Sequence, residues 1–67
     1  MCRNIKKLRT PDRSPTDEEI SLAALQFVRK VSGYQKPSKT NQPAFDAAVE
    51  EIAEATRRLF MRMEGKL

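Results

Sequence analysis

The residues best suited to chemistry sit in the opening stretch, MCRNIKKLR. Cys2 is the only cysteine, and Arg3, Lys6 and Lys7 stand close behind it. Neighbouring cations favour the thiolate, which is the nucleophilic and metal-binding form of the side chain. Removal of Met1 would leave that thiol beside a free α-amine with an ordinary pKa of about 8. Thiol and amine together could serve as a nucleophile, a redox handle, or half of a metal site shared across a dimer. Against this, an isolated cysteine most often behaves as a small hydrophobe.

Other routes to catalysis close quickly. The chain has no histidine, so serine and cysteine triads of the usual kind and Cys/His zinc sites cannot be assembled. Its two glycines, Gly33 and Gly65, lie far apart and build no phosphate-cradling loop. Glu50, Glu51 and Glu54 crowd one stretch, but helical spacing places them opposite the apolar residues, as a solvated face. The balance leans away from an enzyme, with no metal and no cofactor expected.

The cations offer a different chemistry. The net charge is +4, and the excess lies in two places. Arg3, Lys6, Lys7, Arg9 and Arg13 face only Asp12 in the opening arm, and Lys36 and Lys39 have no acid near them in the stretch GYQKPSKTNQ. Arg3, Lys6, Lys7, Arg9, Lys36 and Lys39 are therefore the candidate contacts for an anionic partner. Tyr34 could stack on a base, but no residue set specifies base readout, and an aromatic just after Gly33 commonly folds back on the preceding helix. An acidic protein surface is favoured over nucleic acid.

Two helices must position these groups. Thr16-Asp17-Glu18-Glu19 has the spacing of a capping box, and three acids suit the positive end of a helix dipole. Arg29, Lys30 and Gly33 suit the other end. The first helix is predicted over residues 17–32. The second is predicted over about 43–64, with Asn41 or Gln42 as its cap and Pro43 in its first turn. Asn4 could cap a short turn carrying Ile5 and Leu8. The expected organisation is a basic arm, 1–15, followed by a helical hairpin, 16–67.

The apolar pattern sets the packing. Ile20, Ala23, Ala24, Phe27, Val28 and Val31 share one stripe of the first helix, while Leu22 and Leu25 fall almost opposite. In the second helix, Phe45, Ala48, Val49, Ile52, Ala55, Thr56, Leu59, Phe60 and Met63 share a stripe. The expected core is Phe27, Val31, Phe45, Val49, Ile52 and Leu59. Leu22 and Leu25 then need cover, from Ile5 and Leu8 or from a second chain. The longest apolar run, Leu22 to Leu25, is four residues, far short of the ~20 a membrane span needs. An unpaired Cys2 and the absence of a leader pattern point to a cytoplasmic protein.

The blocks CRNIK, TDEEI, AALQFVRKVSG, KPSKTN and AFDAAVEEIAEATRRL closely resemble a family of small uncharacterised bacterial proteins, a domain of unknown function. That resemblance implies a bacterial cytosolic protein of about this length and brings no activity, cofactor or catalytic residue with it. A ribbon-helix-helix repressor is a poor comparison, because the arm lacks strand alternation and the interhelical loop is too long and contains proline.

The fold expected is all-α: a short N-terminal turn and an antiparallel helix pair, forming a homodimer resembling a four-helix bundle. The function expected is a non-enzymatic interaction module. The alternatives are a thiol-dependent or shared-metal site at Cys2 and a purely structural small protein.

Overall fold

The computed structural model describes residues 7–10 and 13–65. Two helices make the fold: α1, Asp17–Ser32, and α2, Gln42–Met63, packed antiparallel. Among the described residues there is no strand, only an isolated pair of backbone hydrogen bonds between Thr10 and Arg13.

Helix α1 starts where its sequence demands. Thr16 is extended (φ −76°, ψ 164°), its hydroxyl accepts from the Glu19 amide at 3.1 Å, and its own amide donates to the Glu19 carboxylate at 2.9 Å. Both halves of the capping box are made, so two amides that the helix itself cannot satisfy gain partners. Arg13 adds a contact from outside, its Nη2 lying 2.8 and 2.9 Å from the two Glu19 oxygens. The helix ends at Gly33, whose positive φ of 80° suits a residue without Cβ and lets its amide reach the Arg29 carbonyl at 3.0 Å.

The Arg13 hydrogen bond, helped by the Thr16 amide, holds the Glu19 carboxyl below its ordinary value of 4.5. A depressed folded-state pKa stabilises the fold fully above the unfolded value and progressively less as pH falls through the folded one. Thr16→Ala removes the cap hydroxyl and should cost about 0.5–2 kcal/mol at neutral pH, the usual range for a lost N-cap. Alanine keeps the backbone amide that donates to Glu19, so the share of stability that rests on the Glu19 carboxylate should fall in acid for variant and wild type alike. Urea titrations at pH 7 and pH 3 measure both effects; an unchanged midpoint at pH 7 would remove the cap from the account of α1.

Helix α2 begins at Gln42, one residue ahead of the expected proline, with Asn41 at the cap position. The Asn41 side chain does not cap the helix. Its Nδ2 donates instead to the Tyr34 hydroxyl at 3.0 Å. Tyr34 therefore bridges the end of α1 to the start of α2, beyond the local fold-back expected of it.

The core corrects the sequence reading. Phe27, Val31 and Leu59 were expected inside, yet they are 51%, 63% and 51% exposed. Among the described residues, the buried apolar ones are Ile20, Ala24, Val28, Phe45 and Ala53. Val49 and Ile52 are half-buried, and with Leu8 and Phe60 they pack against Ile20, Ala24 and Ala53. Both apolar stripes are wider than the strip that one facing helix can cover. Each helix is turned so that its alanine, Ala24 or Ala53, lies in the contact, where a small side chain lets the backbones approach. Ala55, which the stripe of α2 included, is exposed, while Ala53, which it left out, is 1% exposed. Thr56 faces inward without penalty because its hydroxyl donates to the Ile52 carbonyl at 2.7 Å.

The expected cover for Leu22 and Leu25 is partial. Leu8 packs on the core and lines a cleft with Leu22 and Ala23. Leu25 is half-buried, but Leu22 remains exposed. Ile5, and most of the expected turn at Asn4–Leu8, lie outside the described residues; Lys7 and Leu8 themselves are not helical.

Candidate functional site

Two segments carry the candidate cations. The arm is held in place at its inner end: Arg13 pairs with Glu19, and the Ser14 hydroxyl donates to Glu64 at 2.9 Å, tying it to the far end of α2. Lys7, Leu8, Thr10 and Arg13 then line a cleft against Glu19, Leu22, Ala23 and Gln26 of α1. The loop joins the other end of α1 to α2. It is anchored by the Arg29 Nε, which donates to the Gln35 carbonyl at 3.0 Å, and by Asn41, whose amide donates to the Ser38 carbonyl at 3.1 Å.

Lys7, Arg9, Lys36 and Lys39 are exposed, and none of them forms an ion pair among the described residues. The arginines beside helix acids behave differently. Arg57 lies 2.9 Å from Asp17 and 3.5 Å from Glu54, and Arg58 lies 3.8 Å from Glu54. These pairs are solvent-exposed, so each contributes little more than a few tenths of a kcal/mol, about 0.2–1. They do neutralise the middle and the arm end of the hairpin, leaving the net positive charge to the arm and the loop.

No hydrogen bond or ion pair joins arm to loop among the described residues. The four described candidates thus form two groups. Arg3 and Lys6, together with Cys2, lie outside the described residues. Glu50, Glu51 and Glu54 are exposed, in line with a solvated face.

Sequence reasoning missed a second feature of the surface. Val28, Val31, Tyr34, Phe45, Ala48 and Ile52 border a groove of about 310 Å³ between the helices at the loop end. Phe27 and Val31 continue this apolar surface on α1. The periodicity did contain the signal, since the two stripes together held more apolar residues than a helix pair can enclose.

The fold and surface define a small helical-hairpin protein with an open apolar side and uncompensated positive charge. The chain belongs to DUF2277, an uncharacterised conserved protein family, whose pattern it matches over residues 1–66. Comparison with curated proteins and with solved structures finds no match. No described helix is long and apolar enough to cross a membrane.

Proposed function

We propose that this chain is a non-enzymatic interaction module that pairs with a second copy of itself and offers its basic arm and loop to an acidic protein surface. The support is above all the uncovered apolar side of the hairpin. Among the described residues only five apolar side chains are buried, and domains of this size usually gain stability from a disulfide, a metal or a partner subunit. A single cysteine allows no internal disulfide. Self-association supplies what the isolated hairpin lacks. Lys7, Arg9, Lys36 and Lys39, exposed and without an ion pair among the described residues, supply the anion-seeking surface together with Arg3 and Lys6. A cytoplasmic, bacterial setting is part of the same proposal, drawn from the unpaired cysteine and the family resemblance. A thiol-dependent site would rest on Cys2, whose surroundings the structure does not describe.

Light scattering across a concentration series, together with binding of a fluorescent poly-glutamate peptide and of a short DNA duplex at low and high salt, tests this reading. The expected result is a dimer that binds the acidic peptide in low salt and releases it in high salt. Lys36→Glu/Lys39→Glu should weaken peptide binding by roughly tenfold, as steered contacts between opposite charges are lost. A monomer at every concentration, or tight duplex binding with no affinity for the peptide, would overturn it.

A further inference from the structure

The manner of self-association can be read from the open side of the hairpin. Asp17 meets Arg57 at one end of the helix pair and Tyr34 meets Asn41 at the other. Counting inward from these contacts along the antiparallel helices puts Phe27 of α1 level with Ala48 of α2. Both lie on the same side, since Val31, Ala48 and Ile52 border one groove and Phe27 precedes Val31 by one helical turn. At the loop end that side is therefore bulky along α1 and shallow along α2, where Ala48 follows Ala44 by one turn; Leu59, exposed on the same face of α2, lies towards the arm end.

The outer edges of this side differ in charge. Helical spacing puts Lys30 at the α1 edge and Glu51 at the α2 edge. Both are exposed, and neither forms an ion pair among the described residues.

We propose that a second copy lies on this side, related by a two-fold axis parallel to the helices, so that α1 of each protomer rests on α2 of the other. Phe27 then fills the shallow position at Ala48 of the other copy, and the contact repeats by symmetry. Lys30 of one copy stands about six residues, ~9 Å, along the axis from Glu51 of the other. Helical side chains lean towards their own N-terminus. Because these two helices run in opposite directions, the ammonium and the carboxylate lean towards each other. A two-fold axis perpendicular to the helices would lay α1 on α1 and α2 on α2, which keeps Lys30 of one copy on the opposite edge from Glu51 of the other. Charge complementarity selects the first arrangement over the second.

This proposal rests on the self-pairing reading, and the test separates the two. Dissociation constants from sedimentation equilibrium are compared for wild type, Phe27→Glu, Lys30→Glu, Glu51→Lys and the double exchange Lys30→Glu/Glu51→Lys, with circular dichroism confirming helicity. Phe27→Glu should abolish the dimer and, because Phe27 is exposed in the single chain, keep the helices. Each single charge variant should weaken the dimer by roughly tenfold, as the affected contact occurs twice, and the double exchange should return it to within about twofold of wild type. A dimer indifferent to all four variants overturns this packing and leaves self-pairing intact. Charge variants whose effects simply add, without recovery in the double exchange, also overturn it. A wild-type chain that never dimerises overturns the self-pairing reading itself.

Discussion

Replacing Phe45 with alanine is expected to cost about 3–5 kcal/mol, the usual range for truncating a buried phenylalanine. Phe45, at the loop end of the helix pair and only 8% exposed, is the largest side chain buried among the described residues. Typical stabilities of about 0.05–0.15 kcal/mol per residue give this chain roughly 3–10 kcal/mol in all. The loss is therefore comparable to everything that holds the fold together. Thermal unfolding followed by circular dichroism should show the midpoint falling by roughly 12 °C or more, at about 4–8 °C per kcal/mol for a domain of this size. Two features sharpen the expectation. Phe45 stands in the first turns of α2, where the Asn41 side chain gives no cap and the first turn carries no acid, so packing must hold that end of the helix down. Its ring also borders the groove with Val28 and Val31, so alanine there would deepen the groove and let water reach further between the helices. A variant melting within a few degrees of wild type would mean that the loop end of the core contributes little.

Enlarging Ala53 should be nearly as damaging, for the opposite reason. Ala53 is 1% exposed and packs with Ile20 and Ala24 where the helices meet. Leucine there has no space to enter, so the helices must separate or adopt strained rotamers, at about 1–3 kcal/mol. The same change at Ala47, exposed on α2, should stay within about 0.5 kcal/mol. Urea midpoints of Ala53→Leu and Ala47→Leu, measured side by side, report the rotation of α2 about its own axis. Equal midpoints would place Ala53 away from the contact and refute the packing described for the core.

That comparison also marks where sequence reasoning stopped. The capping box at Thr16–Glu19 was legible because it is local: a hydroxyl and a carboxylate three residues apart satisfy each other's amides with no help from the rest of the chain. Gly33 was legible for the same reason, since a left-handed residue at a helix end needs no distant partner. The choice of Ala53 over Ala55 was not. Both alanines sit at the margins of one broad stripe, and hydrophobicity alone cannot say which margin faces a neighbour. Only the approach of α1, with its own Ala24 at the contact, decides.

The candidate site divides along the same line. The cations of the arm and loop could be named from composition, because unpaired charge follows from counting acids nearby. Asn41 shows the limit: its residue type and position predicted a cap, but the Tyr34 hydroxyl, seven residues away, took its side chain.

By itself, the sequence determined two helices, their start and stop signals, and an apolar surplus too wide for two helices to enclose. The tertiary structure alone decided which part of that surplus is buried and which faces outward, leaving Phe27, Val31 and Leu59 exposed. The physical reason is that helix formation depends on hydrogen bonds spanning four residues, whereas burial depends on where a second helix can come closest, and small side chains govern that approach.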